Sequence, residues 1–124
     1  MMIDDEPDIR DYLMAVLEDS GYETFTLEGN EPVEEAIRSC SQDLIILDIM
    51  MPSRSGMSIY RELRSTSEFK DIPVAIISGM LSESDFKKAF SNLVGGENVP
   101  FPEGFIEKPI QLKELMAIVE RLAA

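Results

Sequence analysis

Short apolar runs alternate with stretches of helical periodicity along the whole chain. Between the runs, apolar residues recur with the i, i+3, i+4 and i+7 spacing that places them on one face of a helix. This pattern predicts strands followed by helices, which is typical of a parallel sheet with crossover helices. The sequence therefore predicts an α/β fold of five βα units. The predicted strands are Met1 to Ile3, Thr24 to Leu27, Leu44 to Leu47, Val74 to Ile77 and Gly104 to Ile106.

The composition of each predicted strand indicates its place in the sheet. Leu44 to Leu47 and Val74 to Ile77 are apolar at every position, as expected of central strands that helices cover on both faces. Thr24 to Leu27 alternates polar with apolar residues, which favours a position nearer the edge. Glycine and proline are frequent in residues 95–104, and we expect a loop there before the last strand.

Length and composition favour one compact domain over residues 1–124. The chain has 124 residues, of which 44% are hydrophobic and 28% charged, as in an ordinary globular protein. Its longest uninterrupted apolar stretch, Tyr12 to Leu17, is far too short to cross a membrane. We therefore expect no membrane insertion.

Charge and cysteine content restrict the partners and the compartment. Eleven basic and 24 acidic residues give a net charge of −13, which repels phosphate backbones, so direct binding of nucleic acid is not expected. The chain lacks histidine, and its one cysteine, Cys40, cannot form an internal disulfide. No secretory signal is visible at the start of the sequence, and the predicted location is cytoplasmic.

The reactive side chains follow directly after predicted strands. Because the carboxyl ends of parallel strands share one edge of a sheet, these residues are expected to converge on one crevice. Each alone has an ordinary explanation, such as an acid favoured at a helix N-terminus or a hydroxyl in a turn. Several such coincidences in one fold favour a shared site. The candidates are Asp4, Asp5, Asp48, Ser78, Glu107 and Lys108.

The chemistry of these residues points to a metal and a phosphoryl group. Clustered carboxylates repel one another, and a divalent cation bound through oxygen, Mg²⁺ or Mn²⁺, would neutralise them. Such an ion held by Asp4 and Asp5 would orient a phosphoryl group for attack by Asp48. Lys108 and the hydroxyl of Ser78 can then bind further phosphoryl oxygens.

Four motifs in a fixed order carry a family resemblance. They are Ile-Asp-Asp-Glu-Pro at residues 3–7, the run from Asp43 to Gly56 around Asp48, Ile-Ile-Ser-Gly at 76–79, and Phe-Ile-Glu-Lys-Pro at 105–109. With these motifs the chain resembles, over nearly its full length, a chemotaxis-regulator-like receiver domain of the two-component response regulators.

The resemblance implies a fold, a function and a set of site residues. The implied fold is one flavodoxin-like, doubly wound, five-stranded parallel sheet in the order 2-1-3-4-5 with five helices. Asp48 would accept a phosphoryl group from a sensor histidine kinase or a phosphotransfer protein. Ser78 and Phe105 would respond to it and change the surface of the fourth helix, fifth strand and fifth helix, which contacts a downstream protein. The implied Mg²⁺ ligands are Asp4, Asp5, Asp48 and the backbone carbonyl of Met50.

Two alternatives to this function stay open. A receiver-like module could bind its partner without phosphotransfer. A phosphatase with an aspartyl nucleophile, as in the haloacid dehalogenase superfamily, is less favoured, because Met50 stands where that family has a second Asp. In the leading interpretation the chain is not an enzyme and catalyses only its own phosphorylation and dephosphorylation. Whether it stands alone or belongs to a longer protein is open, as are its cognate kinase and target.

Overall fold

The computed structural model describes residues 1–28, 31–39, 42–49, 55–94 and 99–123, apart from the side chains at 91, 93 and 94. Cys40, Met50 and residues 95–98 of the predicted loop lie outside this description. Within it, five strands alternate with five helices. The elements are β1 (Met2–Ile3), α1 (Pro7–Asp19), β2 (Thr26–Leu27), α2 (Val33–Ser39), β3 (Ile45–Asp48), α3 (Gly56–Ser65), β4 (Val74–Ser78), α4 (Glu83–Val94), β5 (Gly104–Glu107) and α5 (Leu112–Leu122).

The strands form one parallel sheet in the order β2-β1-β3-β4-β5. One row of paired residues, Thr26, Met2, Ile46, Ala75 and Gly104, crosses all five strands. This arrangement confirms the predicted fold. The strand order reverses between β1 and β3, and ligands of open α/β sheets usually bind at such a point.

Helices cover both faces of the sheet and enclose two apolar clusters. On one face Ile45 and Leu47 of β3 pack with residues of α2, α3 and α4, and on the other face Ile46 packs with residues of α1 and α5. Every residue of β3 and β4 is buried, which confirms that these two strands are central. Strand β2 is only half-buried and lies at the edge, also as predicted.

The strand boundaries differ from the prediction at both ends. Strands β1, β2 and β3 begin later than predicted, at Met2, Thr26 and Ile45, and β3, β4 and β5 end one residue later. Asp48, Ser78 and Glu107 are the last residues of their strands and do not follow them. Asp48 is aligned with Ile77 in the sheet, and Ser78 with Glu107. Backbone pairing does not depend on side-chain polarity, so the strands continue beyond the apolar runs.

Helix α3 fixes the segment that leads into β5. The hydroxyl of Tyr60 donates to the carbonyl of Pro100 at 2.5 Å. The guanidinium of Arg64 binds both carboxylate oxygens of Glu103 at 2.5 and 2.8 Å and also donates to the carbonyl of Ile72 at 2.9 Å. We refer to Tyr60, Arg64, Pro100 and Glu103 as the β5 clamp.

Candidate functional site

The site lies at the carboxyl edge of the sheet. Asp48 ends β3 and Ser78 ends β4, and both side chains are buried. Asp4, also buried, follows β1, and Lys108 follows β5. The amide of Lys108 donates to the carbonyl of Ser78 at 2.8 Å, which ties the end of β5 to the end of β4. The topology thus places four of the predicted residues on one edge.

Lys108 joins the site through its ammonium group. Its Nζ lies 3.4 Å from Oδ2 of Asp48 and 3.2 Å from Oε1 of Glu6. Burial lowers the pKa of Lys108, but the charge of Asp48, the hydrogen bond to Glu6 and the charge of Asp4 outweigh it, so the net pKa is raised. Lys108 is therefore an ammonium ion at neutral pH, beside a carboxylate that is fully buried.

Asp4, Glu6 and Asp48 form a compact group of acids. Each offers a carboxylate oxygen, and these oxygens lie within 4.8 Å of one another. Burial raises the pKa of Asp4 to about 6; the backbone hydrogen bond from Glu6 lowers it, and the nearby charge of Asp48 raises it further. The amide of Glu6 donates to Oδ1 of Asp4 at 2.9 Å, whereas Oδ2 is buried and lacks a hydrogen-bond partner among the described residues. We refer to Asp4, Glu6 and Asp48 as the carboxylate group.

The carboxylate group has the properties of a divalent cation site. Its donors are oxygen atoms only, which suits Mg²⁺ or Mn²⁺ and not Zn²⁺. The orphaned Oδ2 of Asp4 is a buried acceptor that the described residues leave unsatisfied, and burial raises the pKa of this residue because it disfavours the charged carboxylate. The residues present therefore fit the ion that the sequence predicts.

The structure distinguishes Asp5 from its neighbours. Asp5 is partly exposed and does not belong to the carboxylate group, whereas Glu6, which was not singled out from the sequence, does. Adjacent residues point in different directions where the chain turns from β1 into α1, and a sequence pattern does not specify those directions. The predicted role of Asp5 as a metal ligand stays a prediction, as does that of the Met50 carbonyl outside the described residues.

Gly56 allows the backbone to pass close to Asp48. A Cβ at this position would overlap the carbonyl oxygen of Asp48 and the Cα of Ile49. The amide of Gly56 also donates to the carbonyl of Ile49 at 3.4 Å, so the first turn of α3 rests directly on the end of β3. This close approach holds the backbone that carries the Asp48 side chain.

Ser78 uses its hydroxyl oxygen locally. Its Oγ accepts hydrogen bonds from the amides of Met80 at 3.3 Å and Leu81 at 3.0 Å. Because both contacts use the oxygen as an acceptor, the hydroxyl proton remains available for donation to another group. Met80 itself is largely exposed.

Phe105 packs inside an aromatic cluster. Its ring centroid lies 5.0 Å from that of Phe86 on α4, and Phe86 lies 5.4 Å from Phe101 and 5.8 Å from Phe90. Phe105 and Phe86 are buried, whereas Phe101 is 37% exposed. The cluster connects the middle of β5 with the protein surface beside α4.

Fold and site together define a class of protein. The family described as the response regulator receiver domain matches residues 1–120, and the chain belongs to this family. Response regulators act in two-component signalling, and receiver domains are in general signalling modules, not enzymes with an external substrate. Receiver domains generally bind Mg²⁺ at an acidic pocket, and the carboxylate group is a cluster of acids in this structure.

Particular relatives agree with this assignment. The chain is 31% identical over 117 residues to the phosphate regulon transcriptional regulatory protein PhoB of Pseudomonas aeruginosa, covering 94% of this chain and 48% of that protein. It is 29% identical over 127 residues to the transcriptional regulatory protein AruR of the same organism, covering 98% and 48%. The chain thus spans about half the length of the curated relatives it matches.

Solved structures show the same architecture. The chemotaxis protein CheY4 of Vibrio cholerae superposes with a TM-score of 0.79 at 26% identity, covering 98% of this chain and 94% of that one. The receiver domain of NtrX from Brucella abortus gives 0.75 at 29% identity, with 98% and 95% covered. Across the described part of the chain, no helix combines the length and apolar character needed to span a bilayer.

Proposed function

We propose that this chain is a phosphorylation-activated switch of a two-component system, with Asp48 as the phosphoacceptor. The position of Asp48 is the observation that supports it most directly. Its carboxylate is buried at the end of β3, within the carboxylate group and 3.4 Å from the ammonium of Lys108. A carboxylate so held at a sheet edge where ligands bind is well placed for nucleophilic attack.

In the proposed reaction, an oxygen of Asp48 attacks the phosphorus of a phosphohistidine on a sensor histidine kinase or phosphotransfer protein. The P–O bond forms as the P–N bond breaks, and the imidazole nitrogen keeps the electron pair and takes a proton from solvent. Lys108 pairs with one phosphoryl oxygen and the Ser78 hydroxyl donates to another. Later attack of water on phosphorus breaks the bond to the Asp48 oxygen, restores the carboxylate and releases inorganic phosphate, so the chain catalyses only its own phosphorylation and dephosphorylation.

The proposed cation ligands are Asp4, Asp5, Asp48 and the backbone carbonyl of Met50. A bound Mg²⁺ ion, or Mn²⁺ in its place, supplies positive charge that offsets the charge on the phosphoryl oxygens. Asp4 gives the clearest support for this ligand set, because one of its oxygens is buried without a hydrogen-bond partner among the described residues.

The proposed output is a change in a protein-binding surface. Ser78 moves toward the phosphoryl group, the already buried ring of Phe105 rotates behind it, and the surface of α4, β5 and α5 exchanges partners. Phe105 already contacts Phe86 of α4, so a rotation of its ring would alter the packing of that helix. We propose a downstream protein as the target, with no direct contact to nucleic acid, given the net charge of −13. We also propose that residues 1–124 make up one receiver domain.

Intact-mass spectrometry tests the phosphoacceptor directly. Wild type and Asp48→Asn are incubated with acetyl phosphate, with and without Mg²⁺. We expect one phosphoryl adduct that requires Mg²⁺ and is absent from the variant. If folded, Mg²⁺-binding wild type gives no adduct and binds no beryllofluoride, which controls for rapid hydrolysis, phosphotransfer is excluded. A module that binds its partner without phosphotransfer then becomes the better account.

A further inference from the structure

Glu6 directs its side chain into the site, although it occupies the N-cap position of α1. Residues at this position often bind the free amides of the first helical turn, but Glu6 makes no such side-chain bond. Its Oε1 instead lies 3.2 Å from Nζ of Lys108, a residue 102 positions away. The contact therefore serves the site and not the start of the helix.

Two carboxylates share the ammonium of Lys108. Glu6 lies at 3.2 Å and Asp48 at 3.4 Å, and oxygens of both also belong to the carboxylate group with Asp4. The two carboxylates that hold Lys108 therefore also border the space between the three acids. A divalent cation in that space attracts all three acids and repels the ammonium.

Glu6 is the member of this group that is free to change its partner. Its side chain is 55% exposed, whereas Asp4 and Asp48 are completely buried. Asp48 is held at the end of a central strand, and the backbone of Gly56 packs directly against it. Reorienting a buried carboxylate disturbs its packing, but an exposed glutamate changes rotamer at little cost.

We infer that Glu6 exchanges between two cations: it binds the Lys108 ammonium in the metal-free protein and turns to the divalent cation when one is bound. The inference rests on the proposed function and adds an order of events to it. In the metal-free protein Glu6 and Asp48 share the Lys108 ammonium, and once the cation is present Lys108 loses its contact with Glu6 and keeps the one with Asp48. Glu6 is thus a positioning residue that gives up the Lys108 ammonium only in the cation-loaded site.

NMR spectroscopy of the Lys108 side chain tests the exchange without any phosphodonor. The ¹H and ¹³C signals of its ε-methylene group are followed during Mg²⁺ titrations of wild type and Glu6→Gln. We expect a clear Mg²⁺-dependent shift in wild type. In Glu6→Gln the charge attraction between residue 6 and Lys108 is lost, so the shift falls to about half or less, and Mg²⁺ binds about three- to tenfold more weakly.

Asp8→Asn provides a control with the same change in net charge. Asp8 is an exposed acid in the first turn of α1 and does not belong to the carboxylate group. We expect this variant to retain the wild-type Lys108 signals and to change Mg²⁺ affinity by less than about twofold.

A double-mutant cycle gives a second, independent readout. Lys108→Met is expected to strengthen Mg²⁺ binding in the wild-type background, since it frees both Glu6 and Asp48. The gain should be smaller in the Glu6→Gln background, where one of these carboxylates is missing. Equal factors in the two backgrounds would mean that Glu6 acts only through its general charge.

The inference is overturned if Mg²⁺ moves the Lys108 signals equally in wild type and Glu6→Gln, or if it moves them in neither. Formation of the Asp48 adduct in the mass experiment distinguishes this failure from that of the proposed function. If the adduct forms but the Lys108 signals do not respond to Mg²⁺, only the proposed exchange of Glu6 is wrong. Absence of Mg²⁺ binding in wild type would remove both proposals.

Discussion

The Nζ of Lys108 lies 3.4 Å from Oδ2 of Asp48, although the two residues are 60 positions apart in the chain. Asp48 ends β3 and Lys108 follows β5, and these two strands do not pair with each other because β4 lies between them. The Lys108 side chain therefore crosses the end of β4 to reach the acid. The contact depends on the whole sheet, since a change in the pairing of either flanking strand would separate the two charges.

Asp4 should make the stability of the metal-free protein depend on pH. Burial raises its pKa in the folded protein to about 6 from the ordinary value of 3.8. Between these values the folded state binds more protons than the unfolded state, so the free energy of unfolding decreases as pH rises through this window. Asp4→Asn should remove that decrease and stabilise the protein at pH 7 by about 3 kcal/mol.

Urea unfolding in the presence of a chelator, at pH 4 and at pH 7, measures this effect. Asp8→Asn changes the net charge equally and should follow the wild type at both pH values. If Asp4→Asn were less stable than wild type at pH 7 without metal, the raised pKa of Asp4 would be the wrong explanation for its behaviour.

Gly56→Ala should be strongly destabilising. The added methyl group would overlap the backbone of Asp48 and Ile49, which cannot yield as a flexible side chain would. We expect a loss of at least about 2 kcal/mol in the free energy of unfolding, together with slower phosphorylation of Asp48.

Gly21→Ala is the matched control for this substitution. Gly21 has φ 92°, but apart from Gly21 and its two chain neighbours no atom of the described residues lies within 4 Å of the position that its Cβ would take. Only the backbone conformation then opposes the substitution, at about 1 kcal/mol. Urea unfolding of both variants would contradict the steric explanation if Gly56→Ala lost no more stability than Gly21→Ala.

Arg64→Met should destabilise the protein by about 3 kcal/mol or more, because Glu103 and backbone carbonyl groups lose a buried partner. The Arg64 side chain is 2% exposed and binds Tyr60, Glu103 and the carbonyls of two residues before β4. In Arg38→Met, the lost ion pair with Glu68 lies in solvent, and little change is expected. Thermal unfolding of the two variants makes the comparison, and equal melting temperatures would show that the β5 clamp is not a stabilising feature.

The aromatic cluster should respond to substitution according to burial. Phe86 is completely buried against Phe105, Phe90 and Phe101, so Phe86→Ala should cost about 3 to 5 kcal/mol. Phe101 is partly exposed, and Phe101→Ala should cost less than half as much. Denaturant unfolding measures the stability lost by each variant. A greater loss for Phe101→Ala than for Phe86→Ala would place the main packing contact of the cluster at the loop and not on α4.

The fold was predictable because its strongest signals are local. A run such as Leu44 to Leu47, apolar at every position, has to be covered on both faces, and this alone makes it a central strand. For the same reason the sequence predicts carboxyl ends for β3, β4 and β5 that are one residue too early. Asp48, Ser78 and Glu107 break the apolar pattern, but the pairing of the backbone continues through them.

The site was only partly predictable, because some of its geometry depends on distant contacts. Convergence of Asp4, Asp48 and Lys108 follows from sheet topology alone. Topology does not predict that Glu6, and not Asp5, belongs to the carboxylate group. The Glu6 side chain is attracted by Lys108, which is 102 positions away in the sequence. The charge of Arg64 likewise favours an exposed position, yet its guanidinium is buried because the β5 clamp binds it.

Because of the β5 clamp, the geometry of the site does not depend on the length of the connection after α4. It holds the backbone carbonyl of Pro100 and the side-chain carboxylate of Glu103, so β5 starts at a fixed point whatever number of residues precedes Pro100. The chain between α4 and Pro100 is therefore a suitable place for an engineered insertion, such as a peptide tag or a dye-labelled segment. Such an insertion would leave the alignment of Gly104 with Ala75, and with it the position of Lys108, unchanged.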